Sequence, residues 1–175
     1  EVTLDPDGGT VTPEKATLTT GTAVGGLPTP KKDGYEFEGW FTDSNCTEVN
    51  KVTDESIANS ANKTFYAKWE AKTYTVTLDP NGGELTDDKK TVTVTYGVAY
   101  PNLKSDNVPT YIGYEFTGWF TEKDGGTEVT NSTKVTETGN HILYAHWKPR
   151  TYDVTLNYNV PTLDPEYNPV VKKLS

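Results

Sequence analysis

Three segments of this 175-residue chain each occur twice. VTLDPDGGTV, from Val2 to Val11, is answered by VTLDPNGGEL, from Val76 to Leu85. GYEFEGWF, from Gly34 to Phe41, is answered by GYEFTGWF, from Gly113 to Phe120, and FYAKW, from Phe65 to Trp69, by LYAHW, from Leu143 to Trp147. The offsets are 74, 79 and 78 residues, so small insertions sit between fixed elements, as changes of loop length would. Such a chain is expected to fold as two copies of one small unit, placed at residues 1–70 and 71–148. Trp69 to Tyr74 and Trp147 to Tyr152 are both five residues apart, which implies a repeated joint. Because YDVTLNYN follows that joint, residues 149–175 are expected to begin either a third repeat or a different domain.

Within each copy the hydrophobic period is two. Tyr74, Val76 and Leu78 fall on one side of an extended segment, with Thr75, Thr77 and Asp79 on the other; the first copy keeps Val2 and Leu4. The strand ends at DPNGG, where Pro80 fixes φ and Asn81, Gly82 and Gly83 supply turn geometry; Gly8 and Gly9 occupy the matching positions. The return strand is expected at Thr91 to Tyr96, and more weakly at Ala16 to Thr20. In Tyr114 to Phe120, alternation puts Tyr114, Phe116, Gly118 and Phe120 on the core face and Trp119 opposite. Gly39 and Gly118 then stand where a core side chain belongs, which suggests a bulge or a close backbone approach. The last strand, Thr64 to Trp69 or His141 to Trp147, turns Trp69 or Trp147 inward. Four strands per copy are expected, with at most a helical turn or two at 23–27, 54–61 or 98–103. The fold class is therefore mainly β with minor helix, and Gly8, Gly9, Gly39, Trp69, Gly82, Gly83, Gly118 and Trp147 are its structural residues. Thr, at 30 positions, suits the exposed rows of such a sheet.

Chemistry-bearing patterns are sparse. DPDGG and DPNGG lack the full ligand spacing of a calcium loop, so Asp5, Asp7, Asp79 and Asn81 are read as turn formers. His141 and His146 face opposite sides of one strand and make no metal pair. The pairs Glu36 with Glu38 and Asp87 with Asp88 read as solvated edges; Thr117 replaces Glu38 in the second copy. Cys46, the one cysteine, has no histidine in its module to activate it and no partner for a disulfide. The Gly-Gly pairs lack the context of a phosphate loop. Asn45, Asn62 and Asn131 open N-x-Ser/Thr triplets, which a threonine-rich chain produces by chance. Trp40 and Trp119 are the candidate binding residues. A unit of this size needs its Trp area buried, which favours packing under a loop; the competing reading is a flat stacking surface for a sugar or peptide. No catalytic residue, metal or cofactor is expected.

A formal charge of −9 argues against binding a phosphate backbone or acidic lipid, so neither nucleic acid nor membrane insertion is expected. No run approaches a spanning helix and no basic-then-apolar leader begins the chain; without Met, it is expected to be an excised soluble piece. The acidity is shared between the copies, net −6 for residues 1–70 and −3 for 71–148.

Taken together, YTVTLDPNGG, Tyr96-Gly97, GYEFTGWF with Gly125-Gly126 after it, and LYAHW resemble the Listeria-Bacteroides repeat, the internalin B-type B repeat. The resemblance spans essentially all of residues 71–148 and most of 1–70. It departs at SNCTE, which stands where the second copy has DGGTE, and at NYN after Tyr152. It implies β-grasp (ubiquitin-like) modules in tandem, extracellular on a bacterial cell surface or wall, with adhesion or spacing as the role. It supplies no catalytic residues. Tandem periodicity and the repeated joint make a non-enzymatic stalk or spacer, with adhesin action, the leading expectation. The alternative is a module binding a glycan or a host or bacterial surface protein through Trp faces or strand edges. Neighbouring repeats in the same chain are the other expected partners.

Overall fold

The computed structural model describes residues 1–155 and 171–174. Alternating sequence becomes strand almost wherever it occurs. The first sheet contains β1 (Val2–Asp5), β2 (Lys15–Ala16), β3 (Tyr35–Phe41), β4 (Lys51–Val52) and β5 (Thr64–Ala71), in the order β2-β1-β5-β3-β4. The second repeats it with β6 (Thr73–Asp79), β7 (Thr91–Thr95), β8 (Tyr114–Phe120), β9 (Glu128–Val129) and β10 (His141–Pro149), in the order β7-β6-β10-β8-β9. First and last strands of each sheet run parallel at its centre, and the other neighbours are antiparallel. A separate pair joins β11 (Tyr152–Thr155) to β12 (Val171–Leu174). Most of the segment that decides between a third repeat and a different domain, residues 156–170, lies outside the described residues.

Five strands replace the expected four. The additions, β4 and β9, are two residues long, too short for any period to announce them. The first return strand is Lys15–Ala16 and does not extend to Thr20. Among the described residues α-helix is one turn, α1 (Leu103–Asp106), beginning at the last residue of the expected 98–103 stretch; 23–27 and 54–61 are not helical. Short 3-10 turns occur at Glu48–Asn50 and Asp87–Lys89.

Each five-stranded sheet packs one face beneath its own loops, and the two cores are separate; on the opposite face of the first sheet Phe41 alone is fully buried, under Lys51 and Lys68. Val2, Leu4, Val11, Trp40, Phe65 and Ala67 form the first; Val76, Leu78, Val94, Tyr100, Leu103, Trp119, Val129, Val135, Leu143 and Ala145 form the second. Trp40 and Trp119 reach these cores through a bulge. Phe37 pairs with Trp69 and Gly39 with Lys68, so Glu38 is an extra residue; Thr117 is its counterpart between Phe116 and Gly118. One extra residue reverses the alternation beyond it, which turns the indole inward beside Phe37 or Phe116, at ring distances of 5.5 Å in both modules. The same shift corrects Gly39 and Gly118, which lie on the face opposite the core. There a β-carbon would come within 2.9 Å of Lys51 Cε or 2.7 Å of Glu128 Oε1, side chains from β4 and β9.

Candidate functional site

Trp40 and Trp119 are only 4% and 1% exposed. Trp40 Nε1 donates to the Pro28 carbonyl at 3.0 Å, and Trp119 Nε1 to those of Asn107 and Leu103 at 3.0 and 3.3 Å. An enclosed indole with its N–H satisfied presents no stacking face, so these residues are core and not a ligand platform. The bulge was the missing signal.

The other tryptophans lock the turns. Trp69 Nε1 donates to the Pro6 carbonyl at 2.9 Å and Trp147 Nε1 to that of Pro80 at 3.0 Å. Asp5 and Asp79 accept the backbone N–H of Asp7 and Asn81, which closes each turn from inside. Asp7, Gly8, Asn81 and Gly82 all have positive φ. Gly9 and Gly83 serve a different end: a β-carbon would meet the Trp69 or Trp147 ring at 2.8 or 2.5 Å and a carbonyl of Lys31 or Thr110 at 2.6 Å. The Asp5 and Asp79 carboxylates are thus engaged with the backbone, and among the described residues no group of three or more His, Cys, Asp or Glu is placed to hold a metal ion.

Polar side chains elsewhere are engaged in structure. Lys68 bridges Glu38 and Glu48 at 3.0 and 2.7 Å across an exposed face, which raises its own pKa and lowers that of Glu48. His146 stacks on Phe120 at 3.9 Å, while His141 bonds Tyr100 at 2.6 Å and the Gly139 carbonyl at 3.1 Å. Burial pushes the Cys46 thiol pKa up, and Asp43 and Asp7 add to it, the reverse of what a thiolate nucleophile needs.

The five-residue spacing pointed to a joint, but not to how the joint is built. β5 ends at Ala71 and β6 begins at Thr73, leaving Lys72 alone between two sheets. Its N–H donates to the Gly34 carbonyl at 2.9 Å, prolonging the β3–β5 ladder, and its carbonyl accepts from Tyr96 N at 2.9 Å, prolonging β6–β7. One residue is thus hydrogen-bonded into both modules. Tyr96 from the second module lies edge-on to Tyr35 of the first, with ring centroids 5.4 Å apart at 79°. It covers buried Gly34, where a β-carbon would meet ring atoms at 2.4 Å. Gly34 has φ +78°, so its missing side chain serves both the turn and the approach of the ring. On the other side Lys32 Nζ sits 4.7 Å from the Tyr35 ring centre and 5.7 Å from that of Trp69.

Two similar single-sheet β modules joined through one residue define a tandem repeat protein. The model of the Listeria-Bacteroides repeat domain matches residues 1–68 and 74–146, and the chain belongs to that family. Over 134 residues it is 36% identical to internalin H of Listeria monocytogenes, covering 73% of this chain and 22% of the relative. It is 32% identical over 146 residues to a protein of Evansella cellulosilytica named "Putative membrane protein", covering 81% and 21%. A second Evansella cellulosilytica protein, "Putative Gly-rich membrane protein", is 30% identical over 157 residues, covering 87% and 17%. The chain therefore spans about a fifth of the length of these relatives. Its modules are repeat units of surface-associated bacterial proteins. No helix among the described residues is long and apolar enough to cross a membrane.

Proposed function

We propose that this chain is a spacer segment of an extracellular stalk, built from internalin B-type repeats with units at 1–70 and 71–148, that holds other parts of a bacterial surface protein at a set distance from the wall. The observation that carries the reading is the joint at Lys72. A spacer works only if the angle between successive units is maintained, and a free linker would let them collapse together. Here the link is a single residue with N–H and C=O both committed to ladders, reinforced by the Tyr35–Tyr96 pair. We read each unit as a β-grasp sheet. The order β2-β1-β5-β3-β4 with a parallel central pair supports that, although the crossing between β2 and β3 is a loop, and in the second unit that crossing carries only the one turn of α1.

The test is small-angle scattering on the chain and on a version with residues 74–151 duplicated between Thr151 and Tyr152, which keeps the five-residue spacing at both joints. Maximum dimension should rise by a near-constant increment per unit. A particle whose maximum dimension stays unchanged as the unit is added refutes the spacer reading. Retention of the intact chain on a glycan or a surface protein would add an adhesive role to it.

A further inference from the structure

The second module repeats the surface that Tyr96 covers on the first, and among the described residues no ring covers it. Arg150 repeats Lys72: its N–H donates to the Gly113 carbonyl at 2.8 Å, as Lys72 donates to Gly34. Gly113 repeats Gly34, with φ +83° against +78°. The environments differ in one respect. Gly34 is buried under the Tyr96 ring, whereas a β-carbon on half-exposed Gly113 would meet nothing within 4 Å among the described residues. Around Gly113 lies an open groove of about 820 Å³, lined among others by Tyr111, Tyr114, Trp147, Arg150 and Tyr152. Tyr111 stands where Lys32 does, stacked on Tyr114 at 4.4 Å and edge-on to Trp147 at 5.4 Å, so this surface is more apolar than its counterpart. Apolar side chains gather here: Ile112 is 96% exposed, and Val108, Tyr111 and Tyr152 are exposed as well. Position 112 is Asp33 in the first module.

The strand that leaves this surface repeats the earlier pattern. Tyr152 pairs with Leu174 as Tyr74 pairs with Val94, and Thr155 with Val171 as Thr77 with Thr91. In that register the position equivalent to Tyr96 lies two residues beyond Leu174.

We propose that the groove at Gly113 and Tyr114 is a docking site for an aromatic ring carried by a following module of the same kind, seated as Tyr96 is on Gly34 and Tyr35. The incoming ring lies edge-on to Tyr114 and closes over Gly113, while the backbone N–H of its residue donates to the Arg150 carbonyl, the counterpart of Lys72 O. Continuity with the observed joint identifies the occupant: the same backbone donor and glycine conformation are present at both places. The inference rests on the stiff-joint reading and extends it to a chain of identically docked units.

The experiment is NMR alignment of the full chain with residues 74–151 duplicated between Thr151 and Tyr152. Residual dipolar couplings report each unit's orientation, and the two joints are read separately. The expected result is one shared alignment tensor for the original second module and the added copy. Amide exchange of Tyr96 in that copy should be at least about tenfold slower than in an undocked chain end. Tyr96→Ser in the added copy alone should release it to a tensor of its own, while Tyr96→Phe there keeps it docked; the dispersed indole signal of its own Trp119 confirms that it is folded. Independent alignment of the unmodified copy overturns the proposal, as does an alignment that Tyr96→Ser leaves unchanged in a folded copy. If a soluble glycan shifts Tyr111 and Tyr114 while the copy aligns independently, the groove is a ligand site and the proposal also fails. A mobile joint at Lys72 refutes the spacer reading whichever result the second joint returns.

Discussion

Gly34→Ala and Gly113→Ala form a matched pair that separates the two demands on these glycines. Both positions have positive φ, +78° and +83°, so a β-carbon costs each about 1–2 kcal/mol of left-handed strain. At Gly113 no second cost arises, because no described residue lies within 4 Å of the new carbon. At Gly34 the carbon would stand 2.4 Å from the Tyr96 ring. Ordinary carbon contact is near 3.5–4.0 Å, so the ring must retreat by about 1 Å or more. That retreat removes the Tyr35–Tyr96 pair, worth about 0.5–1.5 kcal/mol, and strains the Tyr96 N to Lys72 O bond, worth about 1 kcal/mol net. Holding the linker residue in one conformation costs about 1–2 kcal/mol, comparable with what is lost, so the joint should loosen. Chemical denaturation should show similar losses within the mutated module for both variants. Residual dipolar couplings should show the modules sharing one orientation in the wild type and in Gly113→Ala but not in Gly34→Ala. If Gly34→Ala retains the wild-type orientation while folded, Tyr96 does not fix the joint and the mechanical argument fails.

Trp119→Ala should cost the second module about 3–5 kcal/mol, since the indole is 1% exposed in a small core, and leave the first module's transition in place; loss of both transitions together would contradict separate cores. Gly83→Ala is expected to destabilise by about 1–3 kcal/mol and shift the Trp147 indole N–H resonance, because the new carbon meets that ring and the Thr110 carbonyl; a variant with both unchanged would show that the turn is not clamped. Burial raises the Tyr100 phenol to about 12 from 10.0, helped by Glu137. The folded state then holds its proton more tightly than the unfolded chain, so this contribution to stability is complete below pH 10 and is lost as pH rises towards 12. Denaturation of the second module at successive pH values should show that decline flattened in Tyr100→Phe; an equally steep decline in the variant would assign it to other groups.

Legibility followed the range of the interaction responsible. Val76 and Leu78 revealed their burial through alternation, and DPNGG revealed its turn through backbone preferences, because both effects are local. The same alternation puts Trp40 and Trp119 on the wrong face, since Glu38 and Thr117 are extra only relative to a partner strand. β4 and β9 leave no mark in the sequence because two residues carry no period.

The order of residues alone determined that this molecule is built twice from one β unit, because repeated local preferences must produce repeated local structure. Which face each tryptophan occupies was decided by cross-strand pairing. What Gly34 is for was decided by a ring more than sixty residues further along the chain. Both depend on distances between segments that only the folded backbone brings together, and the joint at Lys72 exists only once two finished sheets share a residue.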